Sequence, residues 1–315
     1  MNDFSLAALV GMIIAACLLD RLLGEVSRFH PLVGFGRIAN RMEQHFNQAQ
    51  VQAPTARMRG LGCWAALVLV PTVLSALLLP LLGAWSQLLF GTLVLYVVIG
   101  GRSLQEHANR VHDDLATGDL AAARTHVSWL VSRDTRQLDE TGISKACIES
   151  VLENGNDALF APLFWFCVLG PAGAILYRLA NTLDAMWGYR TPRYLNFGWA
   201  AARFDDALNY IPARLTALAY ALVGRTRQAL QCWWAQAPNW DSPNAGPVMA
   251  AGAGALNLRL GGAADYHGAT EYRGALGTGD TPSAEGISLA QQLVRNALLL
   301  WIAALSFMAL ATWIA

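Results

Sequence analysis

Residues 60–101 read GLGCWAALVLVPTVLSALLLPLLGAWSQLLFGTLVLYVVIGG and contain no Asp, Glu, Lys or Arg. About 20 apolar residues cross a bilayer, so this run is too long for one span, and Pro80-Leu81-Leu82-Gly83 interrupts it. The pattern predicts two helices, 61–80 and 84–101, joined as a tight hairpin. Outward from it, Ala158–Tyr177 and Asn296–Ala315 are equally free of charge. A shorter apolar run, Phe4–Leu19, ends at Asp20-Arg21 and not at a small-residue cleavage site, so it reads as a retained first helix. The whole chain agrees: 55% of its 315 residues are hydrophobic and 14% charged, against about 25% charged in a soluble domain. The expectation is an all-α, polytopic helical membrane protein, one integral domain over 1–315, with spans at 4–22, 61–80, 84–101 and 294–314. Segment 158–180 is a fifth candidate. Pro162, Gly170, Pro171 and Gly173 within it predict a broken or re-entrant element, which is tolerated only where protein or a cavity covers it.

The cations are almost all arginine; Lys145 is the single lysine. That excludes a P-loop, whose lysine must follow a Gly-rich turn. Arg21, Arg28, Arg37, Arg41, Arg57 and Arg59 follow the first helix, none sits at the hairpin tip, and Arg102 to Lys145 follow the third helix. Because basic loops stay inside, segments 24–59 and 102–157 are expected in the cytoplasm. Leu104, Ala108, Val111 and Leu115 recur at helical spacing, and Gly118-Asp119 stops one helix and caps the next, predicting a cytoplasmic helical hairpin. Residues 262–288, rich in Gly and polar residues, read as a loop. Its Gly277-Thr278-Gly279-Asp280 could cradle a phosphate, but a plain linker is the stronger reading. The five cysteines have no Cys-x-x-Cys spacing, so neither a zinc site nor a disulfide framework is indicated. His107 and His112 are five apart, and His45, His126 and His267 are isolated; structural or surface roles are expected for all five. His30 precedes Pro31, which fixes an extended turn after the first helix.

Ser132-Arg133-Asp134-Thr135 precedes Asp139-Glu140-Thr141-Gly142. From Ile143 a helix would carry Lys145, Glu149 and Glu153 at steps of four, on one face. Asn154, Asn156 and Asp157 follow at the mouth of the apolar segment. Such carboxylates and amide oxygens could hold Mg²⁺; a solvated helix face with ordinary ion pairs is the bland alternative. Position against an apolar wall favours function. Further on, Asp184, Asp205 and Asp206 could complete a metal or amine site. Arg203 and Arg214 offer forked donors for phosphate or carboxylate, against an interfacial segment with snorkelling Arg, which is as good a reading for Arg190 and Arg193.

The motifs LDRLLG (19–24), HPLVGFGR (30–37), SRDT (132–135), ESVLEN (149–154), APLFW (161–165), NTLD (181–184), FGW (197–199), RFDD (203–206), PAR (212–214) and SPNAG (242–246) occur in this order. Together they resemble the CobD/CbiB family of cobalamin biosynthesis, the adenosylcobinamide-phosphate synthases, from the first helix to about Gly262. The resemblance implies an ATP- and Mg²⁺-dependent amide ligation of adenosylcobyric acid to (R)-1-aminopropan-2-ol phosphate or the free amino alcohol, on the cytoplasmic face of the inner membrane. Phosphoryl transfer needs cationic clamps more than a nucleophile, which suits a chain rich in Arg and carboxylates. Residue chemistry then assigns Glu149, Glu153 and Asp157 to Mg²⁺-ATP and Arg133 and Lys145 to phosphates. Asp134, Asn154, Asn181, Asp184 and Asn244 are expected around the nucleotide. Arg203 and Arg214 would hold the carboxylate or acyl phosphate, and Asp205 or Asp206 would receive the amine. The lipid bilayer and other membrane enzymes of late cobalamin synthesis are the expected partners, with no nucleic acid. A non-catalytic sensor similar to AmpE and a corrinoid transporter are the rival readings; the absence of internal sequence symmetry weighs against the second.

Overall fold

A computed structural model of the chain describes residues 4–25, 30–48, 51–266 and 269–314, without side-chain surroundings at 263–266 and 269–271. Arg28 and His267 lie outside the described residues. The order is α1 (Leu6–Leu23), α2 (Pro31–Phe46), α3 (Ala53–Leu78), α4 (Ala84–Val98), α5 (Gly101–Thr117), α6 (Leu120–Val127), α7 (Glu140–Gly155), α8 (Ala161–Trp187), α9 (Trp199–Val223), α10 (Thr226–Gln236), α11 (Ala245–Leu256), β1 (Leu260–Tyr266), β2 (Ala269–Leu276) and α12 (Ala284–Ile314). The fold is all-α and polytopic in kind: among the described residues five stretches are long and apolar enough to cross a membrane, Leu6–Leu23, Ala53–Leu81, Ala84–Thr117, Glu140–Trp187 and Ala284–Ile314.

Local chemistry fixes the helix ends. Ser5 Oγ accepts from Ala8 N at 3.2 Å to start α1, and Gly24, at φ 70°, closes it. His30 Nδ1 accepts from Leu32 N at 3.2 Å, with Pro31 as the first residue of α2. Gly118 (φ 78°) ends α5, and Asp119 Oδ1 accepts from Ala122 N at 2.9 Å to cap α6. A carboxylate at a helix start answers both the orphan N–H groups and the dipole.

The chain divides into two compact units. The first comprises 1–100, 161–209 and 308–315. In it α3 and α4 pack on α8, and α1 on α4. Its core joins Trp64, Leu67 and Val68 to Leu183, Trp187 and Phe197. Small residues set the approach of the helices, as they do where no water is present to drive association. A Cβ at Gly60 would stand 1.9 Å from the Phe197 carbonyl oxygen, and one at Gly91 2.6 Å from Met12 Sδ. Away from the core, Leu69, Val70, Val73 and Leu77 of α3 are exposed, the face an apolar solvent would cover. α8 is broken at Gly170, whose φ of 64° and ψ of −151° leave the helix before Pro171. Gly170, Pro171, Ala172, Gly173 and Ala174 are buried, so the break is covered by protein, where freed backbone groups are tolerated.

The second unit comprises 101–160 and 210–307. α5 and α6 form the expected helical hairpin, and the stripe Leu104, Ala108, Val111 and Leu115 is buried. α7 is the centre of this unit and not a solvated helix: Ile143, Ala146, Cys147, Ile148 and Leu152 are fully covered. Between α7 and α8 runs one π turn, Asn156–Phe160. The expectation of a loop over 262–288 is corrected. β1 and β2 pair antiparallel with a bulge at Gly261/Gly262, and α12 begins ten residues before the expected span, at Ala284. The glycines of that stretch supply positive φ at Gly261, Gly262 and Gly277, while the Tyr and Thr between them favour strand. Gly277-Thr278-Gly279-Asp280 forms a packed turn. Gly277 N donates to Gln236 Oε1 at 2.7 Å and Asp280 N to the Asn257 carbonyl at 2.8 Å, so these two amides are committed to the protein.

Candidate functional site

In the second unit, Glu149 is 4% exposed and lies among cations. Its Oε2 accepts from Arg133 Nη2 at 3.0 Å and Arg273 Nη2 at 2.9 Å, and its Oε1 from Gly261 N at 2.8 Å. Lys145, one turn earlier on α7, donates to the Gly261 carbonyl at 2.8 Å. α7 presents Lys145 and Glu149, the α6–α7 loop presents Arg133, and the hairpin presents Arg273. That loop is itself tied down: Arg124 Nε donates to the Leu138 carbonyl at 2.8 Å and Ser150 Oγ to the Leu130 carbonyl at 3.0 Å. Arg273 lies over the Trp240 ring, 5.2 Å from its centre. Arg133 and Lys145, both expected to take phosphates, lie beside the same carboxylate, Glu149. Arg273 was invisible to sequence reasoning, because it sits in the stretch read as loop.

This geometry opposes the metal role expected for Glu149. Both its oxygens are taken by donors, and the groups beside it are cationic, so a divalent cation would meet repulsion and an occupied carboxylate. Among the described residues no group of three or more His, Cys, Asp and Glu is disposed to hold a metal ion. Asp157 Oδ1 accepts from Asn156 Nδ2 at 2.8 Å, and Asn156 Oδ1 accepts from Thr216 Oγ1, also at 2.8 Å. Asn154 Nδ2 donates to the Ser150 carbonyl and Oγ at 3.0 Å. Asp134 is bound within its own turn to the Arg136 amide and guanidinium, which hold its carboxyl down at about 2. Arg214 is committed as well, donating to Asn244 Oδ1 at 2.9 Å and to the Pro243 carbonyl at 3.0 Å. It clamps the SPNAG turn, in which Ser242 Oγ accepts from Ala245 N at 3.1 Å to start α11.

The first unit holds a different constellation. Asp205 of α9 is 8% exposed. Its Oδ1 accepts from Asn181 Nδ2 at 3.2 Å, its Oδ2 from Asn209 Nδ2 at 3.5 Å, and Asn209 Oδ1 in turn accepts from Tyr177 at 3.2 Å. A buried carboxylate satisfied in this way is part of a rigid network. Asp206, next along, is half-buried; burial pushes its carboxyl above the usual range against the pull of Arg203 and Arg190. Arg203 and Arg190 are exposed. Asp184 lies at the end of α8, where Gly188 closes over it: a Cβ at Gly188 would stand 1.9 Å from Asp184 Oδ1. Arg193, evenly balanced on sequence, forms a two-pronged pair with the covered Glu43, at 3.0 and 2.7 Å. Asn47 joins it through Glu43 Oε1 at 2.7 Å. The pair joins α2 to the loop before α9, a link across 150 residues that no local pattern could give. His126 pairs with Asp114 and meets Trp129 edge-on, the structural role expected of it.

Fold and site together define a helical membrane protein that gathers cations around a buried carboxylate in one unit and a carboxamide-held aspartate in the other. The chain belongs to the CobD/Cbib protein family, whose profile it matches over residues 13–294. It is 58% identical to the cobalamin biosynthesis protein CobD of Chromobacterium violaceum, over 91% of this chain and 93% of that one. It is 56% identical to the protein of the same name from Stutzerimonas stutzeri, over 94% and 96%, and 39% identical to that of Mycobacterium tuberculosis, over 91% of each. No solved structure matches the chain.

Proposed function

We propose that this chain acts in cobalamin biosynthesis as an ATP-dependent amide ligase, joining the propionate carboxylate of adenosylcobyric acid to (R)-1-aminopropan-2-ol phosphate or to the free amino alcohol. The observation that carries the reading is the gathering of Arg133, Lys145 and Arg273 around Glu149, in a chain whose family members bear the name of that pathway. A carboxylate is a poor acyl donor. In this reading its oxygen attacks the γ-phosphorus of ATP, the bond to the ADP oxygen breaks, and an acyl phosphate forms. The amine nitrogen then attacks the acyl carbon, phosphate departs with the C–O electron pair, and the nitrogen gives up a proton. Such chemistry is catalysed by positioning and charge neutralisation. Mg²⁺ belongs here to the nucleotide substrate and not to a cage of protein carboxylates. Asp206, with its affinity for a proton raised by burial, is the candidate acceptor for the amine's proton.

The test is amide formation by the purified, detergent-solubilised chain given adenosylcobyric acid, aminopropanol phosphate, Mg²⁺ and ATP, with corrinoid product and ADP followed together by mass spectrometry. Product matched by ADP is the expected result; folded protein that leaves both substrates and ATP untouched overturns the reading.

A further inference from the structure

We propose that Arg273, carried by the β-hairpin, binds phosphate, and that with Arg133 and Lys145 it forms a phosphate site that Glu149 organises from beneath. The proposal rests on the ligase reading for its choice of ligands. Three cationic side chains converge here. Glu149 accepts from Arg133 and Arg273, while Lys145 donates to the Gly261 carbonyl and feels Glu149 ahead of Asp139, the cap of α7. Like charges repel, so an anion placed among them is favoured. Donor counting points the same way. A guanidinium has five N–H groups in a fixed fork, and the Nε of both Arg133 and Arg273 is buried without an acceptor among the described residues. Arg133 is 7% exposed, so water does not answer for it, and unanswered buried donors are rare in native proteins.

The hairpin also leaves room. Gly262 sits at φ 83°, and on the side where a side chain would project, the one neighbour within 4 Å among the described residues is Lys145 Nζ, at 3.8 Å. Gly261 has no such space: a Cβ there would stand 2.2 Å from the Gly274 carbonyl oxygen. The bulge thus holds one glycine tight against the partner strand and turns the other toward the lysine. Arg273, steadied over Trp240, and Arg133, steadied by Glu149, present forks suited to two phosphate oxygens, and Lys145 adds a point charge. Glu149 is a positioning residue, and its burial keeps the cations together while the site is empty.

A phosphate at this place comes either from the nucleotide or from the phosphorylated amino alcohol, and binding without turnover separates the two. Isothermal titration of the full-length solubilised chain uses ATP and (R)-1-aminopropan-2-ol phosphate as separate probes, with no corrinoid present. Arg273→Met is expected to weaken one probe about ten- to a hundredfold, as loss of a charged hydrogen-bonding partner does. Arg273→Lys restores part of the loss, and Lys145→Met weakens the same probe. The probe that loses affinity names the source. A hairpin arginine that served only as a clasp would lower the thermal midpoint and leave both affinities within about twofold of wild type, and that result overturns the proposal, as does wild-type protein that binds neither probe. If Arg273→Met does not yield folded protein, Lys145→Met carries the same decision. A chain that binds a probe and loses it in these variants, yet forms no amide in the turnover assay, keeps the phosphate site and discards the ligase.

Discussion

Asp205 and Asp206 are neighbours in sequence and opposites in environment. Asp205 accepts from two carboxamides, whereas Asp206 is half-buried beside arginines that only partly offset the cost of its charge. A base must be ionised to accept a proton, so turnover falls as pH drops through the raised Asp206 value, and Asp206→Asn flattens that acidic limb while lowering the plateau by about 10²–10⁴-fold. A pH–rate profile of the two proteins decides it. For Glu149 the expectation concerns stability: Glu149→Gln leaves the buried Arg133 and the part-buried Arg273 without their counter-charge, at a cost of up to about 3–5 kcal/mol, read as a drop in the thermal midpoint of the solubilised protein. Residue types at short spacing made the cap at Asp119 and the turn at His30 legible in the sequence. The neighbourhood of Glu149 was not, because a carboxylate at helical spacing looks the same whether its partner is a metal or an arginine far along the chain.

The spans announced themselves by their apolar length, and the junction of α5 and α6 by Gly118 and Asp119; α10 and α11, short and outside those runs, did not. The hairpin was hidden, since a two-stranded element of Gly, Tyr and Thr has neither the periodicity of a helix nor enough length to declare itself. The kink at Gly170-Pro171 was foreseeable from composition, but its left-handed φ of 64° needed coordinates. Close packing between elements is where substitution bites. Gly60→Ala would drive a methyl into the Phe197 carbonyl and force α3 away from the segment before α9. Overpacking of this kind costs about 1–3 kcal/mol, and a thermal melt in detergent that matched wild type would contradict that contact.

At the scale of the molecule, charge placement predicts orientation. With the basic loops inside, a cysteine from Leu82→Cys, at the uncharged hairpin tip, is expected to react with a membrane-impermeant maleimide on intact cells. One from Gln137→Cys reacts only after permeabilisation, and the reverse pattern would invert the topology. Composition made the membrane class plain. The division into units was not legible, because neither is continuous in sequence: the chain leaves the first at Gly100, returns at Ala161 and leaves again at Asn209. That interleaving matters while the protein is being made. Arg273 follows Glu149 by 124 residues, which a ribosome takes on the order of ten seconds to add. Through that interval Arg133, Lys145 and Glu149 have already been synthesised, but the hairpin that completes their cluster does not yet exist. A chain released early therefore carries most of the family's motifs and an unfinished cluster, which is closed only near the end of translation.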